Sequence, residues 1–82
     1  MADANLLSRI ALDPGVVVGK PVIKGTRLTV EYIVGLLAAG ATIDEVLEEY
    51  EGLEADDVRA CLLFASRSLE STAFMPLGAD TS

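Results

Sequence analysis

Residues 29–52 read TVEYIVGLLAAGATIDEVLEEYEG, and this stretch decides the fold. Its first half repeats apolar residues at helical spacing, at positions 30, 33, 34 and 37, behind Thr29, a residue suited to cap a helix. Gly40 is placed to end that helix. The series Thr42-Ile43-Asp44-Glu45 is a capping box that opens the next one. The pattern therefore predicts two short helices, over about residues 30–39 and 43–51.

A third helix is predicted downstream, over about residues 55–69. We expect its core-facing residues to be Val58, Leu62, Ala65 and Leu69. Residues 60–65 are apolar all round, which predicts burial on both sides. Residues 71–82 are small, polar and interrupted by proline, so we expect a disordered tail. Three helices joined by short turns are typical of a helix-turn-helix unit.

The segment before the helices predicts a β arm over about residues 10–28. Two β-branched runs, at 16–18 and 22–24, flank Gly19-Lys20-Pro21, which favours a tight hairpin or a bent arm. Residues 6–12 are compatible with either a short helix or a strand. The prediction is one mainly α domain, residues 1–70, in which a three-helix unit follows a short N-terminal β-hairpin.

The composition indicates that the protein forms a homodimer. Half of the 82 residues are apolar, more than so small a domain can easily bury, and a two-stranded hairpin is unstable alone. The hairpin must pack on the helices or pair with a second copy, and the apolar surplus favours the second. The predicted interface consists of Val16, Val18, Val22 and Ile23.

The sequence favours a cytoplasmic protein without a membrane segment. The chain has a single cysteine, its longest uncharged run is too short to span a bilayer, and its first residues lack the basic and apolar regions of a signal peptide. We therefore expect a reducing compartment.

The net charge of −7 is unevenly distributed. Residues 1–30 hold four basic and two acidic side chains, whereas residues 31–70 hold two basic and ten acidic ones. An acidic chain is poorly suited to nonspecific binding of nucleic acid, which depends on neutralising phosphates. The asymmetry suggests two faces with different partners.

Little in the sequence predicts catalysis, and we expect neither an enzyme nor a bound cofactor or metal. Histidine is absent, and Cys61 lies in an apolar stretch where a thiol is inert. The pairs Asp44/Glu48 and Glu45/Glu49 have the i, i+4 spacing that could hold Mg²⁺, but a solvated helix face explains them more simply.

The best candidate polar site is the turn Gly25-Thr26-Arg27. Its backbone amides and arginine could bind a phosphate or carboxylate, or the arginine could pair with one of the many acids. Asp56 and Asp57 open the third helix and would repel a phosphate backbone. If DNA is bound, we expect Lys20, Lys24 and Arg27 of the arm to contribute.

The chain resembles the domain of unknown function family 433 over roughly residues 10–69. The resemblance is carried by Asp13-Pro14, the block GKPVIKGTRLTV at 19–30, LLAAG at 36–40 and EVLEEY at 45–50. It implies a homeodomain-like trihelical fold with an N-terminal β arm. It also implies service as an antitoxin beside a PIN-like nuclease, without catalytic activity. Members often cap the third helix with serine or threonine, where this chain has Glu54.

The resulting hypothesis is a dimeric antitoxin of a type II toxin–antitoxin pair that neutralises a PIN-like ribonuclease and also represses its own operon. Glu45, Glu48 and Glu49 would face the basic groove of the toxin. Phe74, Met75 and Leu77 would anchor the tail on it, unless the tail is dispensable. The alternative is a standalone DNA-binding regulator without a toxin partner.

Overall fold

The computed structural model describes residues 2–12 and 19–70, which form four helices and one small sheet. The elements in chain order are α1 (Ala2–Leu7), β1 (Ile10–Ala11), β2 (Val22–Ile23), α2 (Val30–Ala38), α3 (Ile43–Glu49) and α4 (Ala55–Glu70). The helices α2, α3 and α4 confirm the predicted mainly α unit behind a β arm. The ambiguous segment at 6–12 resolves into the end of α1 followed by β1.

Strand β2 pairs antiparallel with β1, with Ile10 opposite Ile23 and Ala11 opposite Val22. Residues 16–18, the other run of the predicted hairpin, lie outside the described residues. On its other side β2 meets Thr29, since the chain doubles back through a turn at 23–26. Strand β2 is therefore flanked on both sides by its own chain.

This central position removes Val22 and Ile23 from the dimer interface in which we expected them. Their exposed fractions are 1% and 2%, and Ile23 lies in the core cluster with Ile33 of α2 and Val58 of α4. Almost none of their surface is left for a second copy. The apolar residues of the strands are buried by packing on the helices. This is the alternative that the sequence, with its large apolar content, favoured less than pairing with a second copy. Val16 and Val18 lie outside the described residues.

The ends of α2 and α3 form as their sequences predict. The Thr29 hydroxyl accepts a hydrogen bond from the Tyr32 amide at 3.0 Å. At the other end of α2, Gly40 has a φ of +110°, and the amides of Gly40 and Ala41 donate to the carbonyls of Leu37 and Leu36. These two hydrogen bonds back to the last helical turn form a Schellman motif. The motif favours glycine because a residue with a side chain is sterically strained at positive φ. It fixes the turn between α2 and α3.

Helix α4 is the central element, packing against α1, α2 and α3. Its buried face contains Val58, Ala60 and Cys61, which are all fully covered. Leu62 and Leu69, which we expected in the core, are 41% and 68% exposed. The prediction was wrong there because the neighbouring elements cover the part of α4 that holds Val58, Ala60 and Cys61, and Leu62 and Leu69 lie outside that covered part. Burial on both sides thus does not extend to Leu62.

None of the described helices combines the length and the apolar character that crossing a membrane requires.

Candidate partner-binding surface

A cleft of about 310 Å³ lies between α2 and α3. We call it the tyrosine cleft, because two tyrosines from different helical segments border it. Its lining residues are Tyr32, Leu36, Ala41, Glu45, Val46, Glu49 and Tyr50. The Schellman turn and the capping box, which set where α2 ends and α3 begins, bring these side chains together. The position of the cleft therefore depends on two helix-capping motifs, the Schellman motif at Gly40 and the capping box at Thr42.

The two tyrosines contact each other directly. Their hydroxyl groups share a hydrogen bond, and their rings meet edge to face, with centroids 6.1 Å apart and planes at 84°. Edge-to-face packing is a favoured geometry because the positive ring edge meets the negative ring face. The hydrogen bond to Tyr32, followed by burial and the nearby charge of Glu49, raises the pKa of Tyr50 to about 12. The Tyr50 phenol thus stays neutral at physiological pH.

The acidic side of the cleft is held by Glu45 and Glu49. The Thr42 hydroxyl accepts from the Glu45 amide at 3.1 Å, and the Thr42 amide donates to Glu45 Oε1 at 2.8 Å. This confirms the predicted capping box and fixes the Glu45 carboxylate at the start of α3. Glu49 follows one helical turn later, on the same side. Both carboxylates therefore border the same cleft.

The acidic side chains of α3 have no cationic partner within the described part of the chain. Asp44, Glu45, Glu48 and Glu49 are exposed and form no ion pair with the residues that the structure describes. Among the described residues, Arg9, Lys20 and Arg59 form ion pairs with other acidic side chains. The negative charge of α3 is therefore available to a partner. Glu48 belongs to this surface but does not line the cleft.

A second, shallower groove of about 450 Å³ adjoins the tyrosine cleft, sharing Tyr32 and Leu36 with it. Lys20 and Glu31 also line it, and they form an ion pair at 2.6 Å that lowers the pKa of the Glu31 carboxyl. Lys20, which we predicted as an anion ligand, is thus already engaged by a carboxylate. The groove extends the apolar surface of the cleft along α2.

The other two predicted anion-binding residues lie on the turn that follows β2, in the case of Lys24, and directly after it, in the case of Arg27. The Thr26 amide donates to the Ile23 carbonyl at 3.0 Å, and Gly25 has a φ of +80°, as the third position of a type II turn requires. Lys24 and Arg27 are exposed, and neither side chain is paired with a residue that the structure describes. The interpretation of Arg27 as an internal ion-pair partner thus finds no support in the described part of the chain.

The start of α4, the expected recognition helix, is acidic and contacts Arg9 of the N-terminal segment. Arg9 Nη1 lies 3.0 Å from both Glu54 Oε1 and Asp57 Oδ1, and Nη2 lies 3.8 Å from Asp56. The Asp57 carboxylate also accepts from the Glu54 amide at 2.9 Å, so it caps the helix from inside. The hydrogen bonds to Asp57 and then Glu54 raise the pKa of Arg9. One arginine thus faces three carboxylates, which leaves this helix end negative.

Sequence reasoning missed the role of Arg9 and of the two tyrosines. Arg9 meets Glu54 and Asp57 across 45 and 48 residues, and no local pattern indicates such a distant pairing. The tyrosines are 18 residues apart and meet only because α2 and α3 fold together. The predicted tail residues Phe74, Met75 and Leu77 lie outside the described residues.

Cys61 occupies the core, as predicted. It is fully covered, and burial, with a smaller contribution from Asp57, raises its pKa to about 11. The thiol therefore stays protonated at neutral pH, which is the unreactive form. Within the described residues, no three or more His, Cys, Asp or Glu side chains are arranged so that they could hold a metal ion.

Comparison with known proteins gives a consistent family assignment. The family described as "Protein of unknown function (DUF433)" matches residues 10–65. The chain is also 30% identical over 56 residues to the uncharacterized protein y4eO of Sinorhizobium fredii (strain NBRC 101917 / NGR234), a match that covers 68% of this chain. It spans about a quarter, 25%, of the length of that relative. No solved structure matches it. The match over most of the chain places this protein in the DUF433 family.

Proposed function

We propose that this protein is the antitoxin of a type II toxin–antitoxin pair and that it binds and neutralises a neighbouring PIN-like ribonuclease. The observation that supports the proposal best is the acidic face of α3. Its carboxylates form no ion pair within the described residues, and two of them, those of Glu45 and Glu49, border an open cleft. The nuclease class comes from the resemblance to the family. The surface itself calls for a partner with a basic binding face.

The physical basis is charge complementarity. A ribonuclease holds its RNA in a groove lined by basic residues, and a rigid row of carboxylates presents the same charge as the RNA backbone. Complementary charges speed the encounter of two proteins and fix their register. The apolar residues that line the cleft, Leu36, Ala41 and Val46, offer a surface from which a bound partner can exclude water. Exposed charged residues alone contribute little binding energy of this kind.

The proposal is tested by co-expressing the chain with the product of an adjacent nuclease gene and measuring binding and residual ribonuclease activity. The triple variant Glu45→Gln/Glu48→Gln/Glu49→Gln should weaken binding about tenfold or more and make it less sensitive to salt. Glutamine preserves the capping box at Glu45, so α3 should remain folded. If the triple variant neutralises the nuclease as well as the wild-type chain does, the acidic face is not the binding surface.

A matched control comes from the basic turn. The variant Lys24→Gln/Arg27→Gln changes two exposed charges on another part of the chain. It should leave nuclease binding unchanged if the acidic face carries the interaction. Equal losses in both variants would indicate a nonspecific effect of surface charge.

The alternative is a standalone DNA-binding regulator, and the exposed Lys24 and Arg27 favour it. Against it stands the acidic start of α4, where Glu54, Asp56 and Asp57 would face the phosphates if α4 entered the major groove. A protein with so few basic contacts should bind its own promoter modestly, with a gentle dependence on salt. Promoter binding that Lys24→Gln/Arg27→Gln abolishes, in the absence of any nuclease partner, would favour the regulator.

The tail supplies a separate test of the antitoxin proposal. Phe74, Met75 and Leu77 would each contribute roughly 1.5–3 kcal/mol if a partner buried them, before the cost of ordering the segment. Deleting residues 71–82 should then leave the fold intact and weaken neutralisation about tenfold. Full neutralisation by the truncated chain would show that the tail is dispensable.

A further inference from the structure

We infer that the tyrosine cleft is a pocket for a single arginine side chain of the partner protein. The inference rests on the proposed function and names the group that the acidic face recognises. It follows from the size of the cleft, from its two aromatic rings and from its two carboxylates.

The size of the cleft fits a side chain. At about 310 Å³ it lies at the lower limit of small-molecule pockets, which span about 300–1,000 Å³. It is open to solvent on one side, so a side chain can enter from a docked protein surface. Leu36, Ala41 and Val46 supply apolar walls for the aliphatic stem of a long side chain.

The charge of the cleft selects a cation. Glu45 and Glu49 border it, and no basic side chain of the described residues contributes to its lining. One oxygen of Glu45 accepts from the Thr42 amide. The other oxygen, and both oxygens of Glu49, accept no hydrogen bond from the residues that the structure describes. These acceptors are free to receive N–H donors, and they would repel a phosphate or carboxylate.

The aromatic rings favour arginine over lysine. Tyr32 is 44% exposed, so part of its ring is open to a ligand. A guanidinium group is planar, stacks on aromatic faces and donates several hydrogen bonds in a fixed fork, whereas an ammonium is a strongly hydrated point charge. The hydroxyls of Tyr32 and Tyr50 already bond to each other, which leaves the ring surfaces and the carboxylates to make the contacts. Arginine is the side chain that can both stack on the tyrosine rings and donate hydrogen bonds to the carboxylates.

The test is a titration of the full chain with three short capped peptides that differ at one position: Gly-Arg-Gly, Gly-Lys-Gly and Gly-citrulline-Gly. Citrulline keeps the planar shape of arginine but lacks its charge. Amide shifts in a ¹⁵N-correlated NMR spectrum should move around Tyr32, Glu45 and Glu49 with the arginine peptide. We expect the lysine peptide to bind several-fold more weakly and the citrulline peptide not to bind measurably.

Two variants of equal charge separate the cleft from general electrostatics. Glu49→Gln removes a carboxylate that lines the cleft and should weaken the arginine peptide about fivefold or more. Glu48→Gln removes a neighbouring carboxylate outside the lining and should change binding less than about twofold. Melting temperatures of all variants confirm that the fold is retained.

Equal shifts from arginine and citrulline, or equal losses in Glu49→Gln and Glu48→Gln, would overturn the arginine pocket. The same variants measured against the nuclease keep the two proposals apart. If the nuclease binds and the arginine peptide does not, the pocket is wrong and the antitoxin proposal stands. If the arginine peptide binds selectively and no nuclease does, the pocket stands and the antitoxin proposal is wrong.

Discussion

Val22 distinguishes a residue of the monomer core from a residue of a dimer interface. Its side chain is 1% exposed within a single chain, between β1 on one side and Thr29 on the other. We consider the substitution Val22→Ala, which shortens the side chain without introducing a polar group. If the residue belongs to the core, the substitution must lower the stability of the folded chain itself.

The magnitude follows from the volume removed. Losing two buried carbon groups costs about 1.6 kcal/mol in transfer free energy, and the cavity left behind raises the total to roughly 2–3 kcal/mol. A domain of this size is stable by on the order of 4–12 kcal/mol, so Val22→Ala should remain folded but melt roughly 10–20 °C lower. Val22→Asp should not fold, because a buried carboxylate without a partner costs more than the domain can lose.

The assay is urea unfolding followed by circular dichroism at two protein concentrations about a hundredfold apart. For a monomeric core the midpoint is the same at both concentrations in the wild-type chain and in Val22→Ala. Leu12→Ala is the control, because Leu12 follows β1 and is 67% exposed, so its loss should cost under about 0.5 kcal/mol. A Val22→Ala chain that keeps its stability but dissociates from a dimer, as light scattering would show, refutes the core assignment.

Three further predictions concern stability and the thiol. Thr42→Ala should cost about 0.5–2 kcal/mol in urea unfolding by breaking the capping box, whereas Thr42→Ser should cost far less. Gly40→Ala should destabilise by about 1 kcal/mol or more because φ is +110°, whereas Gly35→Ala, inside α2 with open space at its Cβ, should stabilise by up to about 1 kcal/mol. Cys61 should resist a thiol reagent until the chain unfolds. Because its pKa is raised from 9.0 to about 11 in the folded state, its contribution to stability is complete below pH 9 and is lost as pH rises towards 11.

The sequence by itself determined the helical unit. Helix caps act within four residues, so Thr29, Gly40 and Thr42 specify their helix ends wherever the segment lies. Apolar residues at helical spacing likewise mark the buried side of α2 without knowledge of its neighbours. The acidity of α3 is also a property of the sequence alone, and so are the family motifs.

The tertiary structure decided which surfaces remain free. Strand β2 has only two residues, too few for its sequence pattern to indicate which strand it pairs with. Its pairing with β1 depends on the packing of Ile10 and Ile23 against the helical core. That pairing placed Val22 inside the chain. Leu62 and Leu69 stayed outside the core because the position of the neighbouring helices determines which side of α4 is covered.

The candidate site divides in the same way. Glu45, Glu48 and Glu49 could be predicted as a partner surface because a run of acids on one short helix is visible in the sequence. The cleft beside them could not, since it exists only where Tyr32 of α2 meets Tyr50 after α3. Arg9 has its role for the same reason, because charges that are distant in the chain meet only when the helices pack. Hydrogen bonds between neighbouring residues can be predicted from the sequence. Contacts between residues 18 to 48 positions apart depend on how the helices pack.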